Sequence, residues 1–468
     1  MRYLKHIVIG SLVLTFAALS NAQQSDTPPK QGISAMPGLG STAKDPGQDA
    51  TPSVNPDTTS LTGAETSTLG SADLRHSYWV PGFEFQNSMQ SPVKGTNWVS
   101  TSYFVGTASM NAFSSNSQFA FNYSGGGSVS NSSSFPGGSY HRLDASQSFT
   151  FGQLKIAFLD QFSYLPQSSF GFGGGSGLST PGIGGVLGSA VPGLQTSYSP
   201  VQSLFDGTGP RFTNSAVIQT EYALTPRASL TATASYGVLR FTQGNAIETN
   251  DEIFSLGYNY QVTKNDTFGV VYRFTNYRYL GDPQALNDHT ANLAYGRKIT
   301  GRLALQLFGG PEINTFRHPI GSDTQRVSFS AGGEVNYAFA RAGLSVSYNH
   351  GLSGGSGVLI GSVRDDVAAR LSLPITRRWR ANTGVGYALN APISGSVTGS
   401  GSQGLHSLYA SVGLNYALSR TVSANVNYSF DYQDSTQPIC PAGSCGSKYK
   451  EHQIWVGFQW HAHPFVLR

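Results

Sequence analysis

Charged residues are sparse in this chain, and several recur on the polar side of segments in which polar and apolar side chains alternate. Only 12% of the 468 residues are charged, about half the usual share. Acidic and basic groups on one shared face can attract mobile ions with weak selectivity, or they can pair with one another. The spacing leaves both uses open for Arg142, Asp144, Glu221, Arg273, Glu334, Asp366, Arg370 and Arg380.

Two cysteines near the C-terminus are close enough in sequence to form a bond. Cys440 and Cys445 stand in CPAGSC with four residues between them. In an oxidising compartment this spacing predicts a local disulfide, which closes a very small loop and adds little stability. The alternative is a reactive or metal-binding pair, although no histidine lies beside it in the sequence.

The histidines and acidic residues form no pattern typical of a metal centre or a catalytic site. His461 and His463 share a face near the C-terminus, but no third ligand accompanies them. We find no His-Glu-x-x-His motif and no nucleophile elbow of the Gly-x-Ser-x-Gly type. The sequence therefore predicts no metal, no cofactor and no enzyme activity.

The elements that would position these charges are long segments with a two-residue period. Residues 411–430 read SVGLNYALSRTVSANVNYSF, in which apolar and polar residues alternate on both sides of a short LSR connection, as in a hairpin. Similar segments of about ten residues or more follow one another from about residue 78, and short connections alternate with long ones. Strands of a soluble sandwich are shorter and carry more charge on their exposed face. This length, with aromatic residues toward the ends and a second face of Ser, Asn and Gly, is typical of a transmembrane β-barrel.

The strand count predicts an all-β, antiparallel, up-and-down barrel with short periplasmic turns and long outer loops. Sixteen segments lie between residues 116 and 462, and residues 82–91 and 97–110 add two more. Eighteen strands place both ends of the barrel in the periplasm. The alternative is sixteen strands, with residues 78–111 as a plug or luminal segment.

The N-terminal region differs from the barrel, which we assign to residues 78–468. Residues 1–22 predict a cleaved signal peptide, with two basic residues before an apolar run of 14 residues, too short for a helical span. Residues 23–77 are rich in Pro, Gly, Ser and Thr and predict a disordered periplasmic leader. The formal charge of +4 falls to +2 when Arg2 and Lys5 are removed, so we expect no nucleic-acid partner.

In this pattern the chain resembles bacterial outer-membrane porin-type β-barrel proteins over residues 78–468. The resemblance rests on the strand pattern and not on a signature motif. It implies outer-membrane lipid and the barrel-assembly machinery as partners, and it allows a homotrimer. Such barrels often end on an aromatic residue, whereas this chain has Trp460 and Phe465 near the end and finishes FVLR.

The resemblance also draws attention to residues 168–210, the third outer loop on the eighteen-strand count. In porin-like barrels this loop often folds into the lumen, and here it is long and apolar. We expect it to form a constriction, with Phe170, Phe172, Leu204 and Phe205 as contact residues. A disordered or cell-surface interaction loop is the alternative.

The function expected from these features is passive diffusion of small hydrophilic solutes through an outer-membrane channel. The alternative is a non-conducting barrel that serves secretion, polysaccharide export or surface attachment. One residue does not fit the alternation: Asp160 falls on the apolar side of its segment, beside Phe158 and Phe162. Either a bulge shifts the register there, or Asp160 lies at the outer rim.

Overall fold

The computed structural model describes residues 77–91, 98–131, 137–165, 210–242, 247–281, 283–317, 322–355, 359–393, 404–434 and 449–467. Nearly all of these residues belong to strands, and the described part contains no helix with the length and apolar character of a bilayer span. The strands are β1 Tyr78–Gln90, β2 Val99–Phe113, β3 Ser117–Ser130, β4 Ser139–Phe151, β5 Leu154–Leu165, β6 Arg211–Thr225, β7 Ala228–Phe241, β8 Thr249–Gln261, β9 Asp266–Tyr279, β10 Ala285–Thr300, β11 Leu303–Arg317, β12 Thr324–Ala338, β13 Gly343–Ser353, β14 Ser362–Pro374, β15 Trp379–Pro392, β16 Leu405–Ala417, β17 Val422–Asp434, β18 Tyr449–His461 and the two-residue β19 Phe465–Val466.

Strands β1 to β18 form a closed antiparallel barrel of eighteen strands, and the two-residue β19 pairs beside the start of β1. From β1 to β18 each strand pairs with its neighbours in sequence, and β1 pairs with β18 from Gly82↔His461 to Gln90↔Gln453. Closure removes the free edges that could not be satisfied in hydrocarbon. Residues 78–111, a plug on the sixteen-strand alternative, form β1 and most of β2, so eighteen is the correct count.

The first strand starts earlier than the sequence predicts. It begins at Tyr78, whereas the sequence pattern predicts residues 82–91 for this segment. Pro81 lies where the partner of β1 changes. On one side of it Tyr78 and Trp79 pair with β19, and on the other side β1 pairs with β18 from Gly82 onward. A proline without an N–H is tolerated at such a break, and its carbonyl still accepts from the Ala462 N–H at 2.8 Å.

The two faces of the wall differ throughout the barrel, as β8 shows. Phe254 and Leu256 are each 48% exposed on one face, while Ser255 and Asn259 on the other face are 2% and 3% exposed. The exposed apolar face would contact lipid, and the polar face is turned inward. The period of two in the sequence therefore defines the inside and the outside of the wall.

A set of Tyr–His hydrogen bonds marks the outer end of the lipid-facing side. Each joins a tyrosine on a strand that runs toward an outer loop with a histidine on the strand that returns from it. The four Oη···Nδ1 pairs are Tyr123–His141 (3.0 Å), Tyr272–His289 (2.8 Å), Tyr387–His406 (2.6 Å) and Tyr428–His452 (2.9 Å). On β13 and β14 the arrangement differs: the Tyr348 hydroxyl donates to Asp365 at 3.0 Å, and His350 lies 2.6 Å from the same carboxylate oxygen.

These pairs also report the tilt of the strands. Strand pairing leads from Tyr123 on β3 across six strands to Arg278 on β9. The tyrosine of β9 that makes a Tyr–His hydrogen bond is Tyr272, six residues before Arg278. Tyrosines at one height in the membrane are therefore displaced from the strand pairing by one residue per strand, which corresponds to a strand tilt of about 35°, typical of barrels.

Strand pairing also settles the position of Asp160. No register shift interrupts the pairing of β5 with β4 or with β6, so a bulge does not explain this residue. Pairing leads from Tyr123 to Phe162 two strands on, and Asp160 lies two residues before Phe162. Asp160 therefore faces outward at the height of the outer tyrosines. The Asn214 side-chain amide donates to its Oδ1 at 2.8 Å.

The short turns at the periplasmic end of the barrel share a pattern of side-chain hydrogen bonds. A Thr or Ser hydroxyl accepts backbone N–H groups two or three residues further on, as Thr300 does from Arg302 and Leu303, at 3.1 Å each. Thr376 and Ser419 do the same in their turns. Side-chain acceptors of this kind fix tight turns without a helix or further strand pairing.

One seam of the wall is less completely paired than the rest. The pairing of β12 with β13 covers 331–338 and 343–350, although both strands continue toward the outer end. Beyond the paired part, Glu312 of β11 accepts the Leu352 N–H at 3.1 Å and the Ser328 hydroxyl at 2.8 Å. A side chain thus satisfies a backbone donor at the open part of the seam.

Candidate functional site: the inner face of the barrel

The eight charged residues singled out in the sequence all lie on the inner face by strand parity. They are distributed over β4, β6, β9, β12, β14 and β15, so they surround the lumen and do not form one compact cluster. Arg142 and Asp144 are near the outer end of β4, whereas Arg380 is the second residue of β15, at the periplasmic end. Their role in conduction remains a prediction.

Two of the acidic residues are paired within the wall. The Arg142 Nε lies 2.9 Å from Asp144 Oδ2, and the Gln161 amide donates to Asp144 Oδ1 at 2.7 Å. Asp366 lies 3.1 Å from the Nε of Arg364, and both side chains are 12% exposed. Asp144 and Asp366 thus pair with arginines of the wall, as in the second of the two uses considered for these charges.

Arg370 and Glu334 lie at a different point of the inner wall. Arg370 interacts electrostatically with Glu334 and with Asp366 on its own strand. Glu334 also accepts from the Asn336 side-chain amide at 3.1 Å. Glu221 stands directly across from Lys155 in the pairing of β5 with β6. The inner wall therefore mixes both signs at short range.

Sequence reasoning missed several inward charges that strand parity could have found. In the described strands ten acidic and nine basic side chains have inward parity, so the wall is close to neutral overall. Asp288, for example, lies two residues before Thr290 on the inner face of β10, and the Thr290 hydroxyl donates to its carboxylate at 3.0 Å. The inward charges not singled out beforehand are Glu84, Asp251, Asp288, Glu312, Asp431 and Glu451, with Lys155, Arg211, Lys298, Arg326 and Arg364.

The described ends of the loop after β13 fold into the outer mouth. Gly354 lies against the Tyr277 ring of β9, and a Cβ there would come within 2.9 Å of it. Gly361 approaches Leu286 and Ile393, where a Cβ would lie 2.7 and 2.8 Å from their methyl carbons. Its φ of +71° suits glycine. The mouth is thus narrowed by an apolar cluster made of Tyr277, Tyr279, Leu286, Phe316 and Ile393.

The inner face also carries apolar and aromatic patches, which the sequence pattern did not predict. One patch comprises Tyr103, Val105, Tyr140 and Trp455, and the rings of Tyr103 and Trp455 are 5.3 Å apart. A second comprises Ala157, Leu159, Val217 and Ile253. The inner face is therefore not uniformly hydrophilic.

One motif overlooked in the sequence proves to be structural. Gly351 to Gly355 match Gly-x-Ser-x-Gly by letter, but the central Ser353 ends β13 and no helix is described after it. Its hydroxyl is buried and lies 2.7 Å from the Ser362 hydroxyl on β14. The serine joins two neighbouring strands and lacks the strand–turn–helix context of a nucleophile elbow.

Several predictions concern residues outside those the structure describes. These are the signal peptide at 1–22, the leader at 23–77 apart from its last residue, the constriction residues in 168–210 and the disulfide between Cys440 and Cys445. Among the described residues, no three His, Cys, Asp or Glu side chains come together as a metal site would require. His461 and His463 are part of that described set.

The fold and the inner face together define a transmembrane porin-type β-barrel of eighteen strands. No protein-family model matches the chain, and no curated protein matches it. Solved structures that resemble it include three outer-membrane proteins of Pseudomonas aeruginosa. OpdK is 11% identical, with a TM-score of 0.41 over 83% of this chain and 100% of its own.

The other two structures give similar values. OccK2 (OpdF) in complex with glucuronate is 10% identical, with a TM-score of 0.42 over 82% of this chain and 98% of its own. OprD is 10% identical, with a TM-score of 0.40 over 82% of this chain and 94% of its own. The assignment of the fold therefore rests on the closed pairing of the eighteen strands in this chain.

Proposed function

We propose that this chain is an outer-membrane channel through which small hydrophilic solutes diffuse passively. The observation that carries the proposal is the polar, charge-balanced inner face enclosed by eighteen strands. Barrels of 16–18 strands enclose a lumen wide enough for water and solutes. Inward rows of Ser, Asn, Thr and paired charges would hydrate such a lumen, and the outward face suits lipid.

A non-conducting barrel that serves secretion, polysaccharide export or surface attachment remains the second candidate. It is favoured by the shielding of the inner wall and by the apolar cluster at the outer mouth. Gln433 is 0% exposed and Gln459 is 1% exposed, although both face inward. A lumen closed along its length would leave wall residues shielded in this way.

Conductance of the purified, refolded protein in planar bilayers separates the two candidates. We expect stepwise, ohmic channel openings, and swelling of liposomes in small sugars but not in large polysaccharides. A protein that is fully folded by its heat-modifiable mobility and far-UV spectrum but gives no current would contradict the channel and favour the second candidate. The control is the same preparation after heat denaturation.

A further inference from the structure

Six consecutive turns at the periplasmic end of the barrel carry arginine or lysine. They connect the strands from β6 to β17, which is two-thirds of the circumference. All seven basic side chains are exposed. We call this set the basic collar, and its members are Arg227, Lys264, Arg302, Arg341, Arg377, Arg378 and Arg420.

Acidic groups do not balance the basic collar. None of the eight periplasmic turns, all of which the structure describes, contains Asp or Glu. Asp266 at the start of β9 is already engaged by the hydroxyls of Thr263 and Tyr295, at 2.6 and 2.9 Å, and by Arg297 at 3.6 Å. Among the ion pairs of the described residues, none involves a member of the collar.

The membrane boundary lies beside the collar. Exposed aromatic side chains stand on the outward face close to this end of the barrel, among them Trp79, Tyr260, Trp379 and Trp460, which are 41–48% exposed. Belts of Trp and Tyr sit at the headgroup level of a bilayer. The turns directly beyond them place the cations at the height of lipid phosphates. The hydroxyl-capped turns keep the backbone there fixed.

We propose that the basic collar binds the phosphate headgroups of anionic lipids in the periplasmic leaflet. Charge complementarity and height identify the occupant: seven exposed cations, six of them on turns with a side-chain hydroxyl acceptor, meet a surface whose phosphate groups are anionic. Each basic residue near an anionic bilayer surface contributes attraction that salt screens. The arc from β6 to β17 would then hold an ordered set of anionic lipids, and this end of the barrel would be anchored by charge as well as by its aromatic belt.

The test measures lipid preference at the protein surface. Full-length protein is reconstituted in phosphatidylcholine vesicles with spin-labelled phosphatidylglycerol or spin-labelled phosphatidylcholine, and the motionally restricted fraction is compared. We expect phosphatidylglycerol to be preferred about twofold or more at low salt, and the preference to vanish near about 1 M salt. A variant with all seven collar residues changed to Gln should lose the preference.

Matched double variants keep the result interpretable if the sevenfold variant does not fold. Arg377→Gln with Arg378→Gln should lower the preference, whereas Arg240→Gln with Arg278→Gln removes two cations from the outer rim, which are paired with Glu248 and Glu252, and should change it less. No preference in the native protein, or an undiminished preference in both collar variants, would overturn the proposal. Inorganic phosphate that abolishes the preference at an ionic strength where chloride does not would identify a free-anion site instead and would also overturn it.

Discussion

At the scale of single residues, Asp160 shows how a carboxylate is accommodated on the lipid-facing side of the wall. It stands at the height of the outer tyrosines, and the Asn214 amide donates to it at 2.8 Å. A charged group on this face is unfavourable, and less so near the interface than at mid-bilayer. The contact with Asn214 therefore compensates an otherwise costly position. It does not by itself imply a functional site.

The hydrogen bond predicts a coupling between the two side chains. Asn214→Leu should destabilise the barrel by about 1–2 kcal/mol, because it leaves the carboxylate without its donor. Asp160→Leu should cost less than Asn214→Leu, because it removes the carboxylate from the lipid-facing side and leaves the Asn214 amide its contact with the Gln161 carbonyl oxygen at 3.4 Å. Urea unfolding in liposomes measures both free energies.

The double variant supplies the control for this pair. In the Asp160→Leu background, the loss of Asn214 should have little effect on the free energy of unfolding. If Asn214→Leu destabilises both backgrounds equally, the two side chains are independent and the account of Asp160 is wrong.

Arg370 tests whether the inward charges act on ions. Because it interacts with Glu334 and Asp366, Arg370→Glu would bring three acidic groups together on the inner wall. We expect the reversal potential in a salt gradient to move toward cation preference, and Arg273→Glu to move it in the same direction. Arg278→Glu makes the same charge change on the outward face and should leave the reversal potential nearly unchanged. An unaltered value in both inward variants would argue that these charges serve only the wall.

At the scale of elements, the described ends of the loop after β13 lie at the outer opening of the barrel. Its described ends reach Tyr277 of β9 and Leu286 of β10, each four strands away around the barrel from the strand that the end adjoins. Gly355 and Gly361, one in each described end, have φ angles of +91° and +71°. A residue with a Cβ would be strained at either position.

Gly361→Ala should displace this loop and raise the single-channel conductance. Alanine would be strained at this φ, by roughly 1 kcal/mol, and its Cβ would clash with Leu286 and Ile393. Gly281→Ala is a matched control, since Gly281 also has a positive φ, +78°, but a Cβ at that position would have no neighbour within 4 Å. Equal effects of the two substitutions would assign the change to backbone strain and not to the loop in the mouth.

The elements were predictable where a local pattern determines them. Two-residue alternation gave the eighteen-strand barrel and the inward parity of its charges, because lipid and water select opposite faces of every strand. The start of β1 lies before the predicted 82–91 because Tyr78 and Trp79 pair with the two-residue β19, which is too short to show an alternation in the sequence. The inward loop, the apolar patches and the Asn214 partner of Asp160 depend on contacts between distant residues, which periodicity does not encode.

At the scale of the whole molecule, the channel we propose requires that one wall separates hydrocarbon from a solvated lumen. β13 is suited to test this, because inward Ser345 and Ser347 alternate with outward Val346 and Tyr348, of which the last two are 38% and 41% exposed. The same strand thus offers both environments one residue apart.

The most direct measurement is block of channel current by a charged, water-soluble thiol reagent at single cysteines along β13. In a background with Cys440→Ser and Cys445→Ser, Ser345→Cys and Ser347→Cys should lose part of their current on treatment, while Val346→Cys and Tyr348→Cys should keep theirs. Current loss that does not alternate with position, or loss only at the outward positions, would contradict the separation of lipid and lumen on which the account rests.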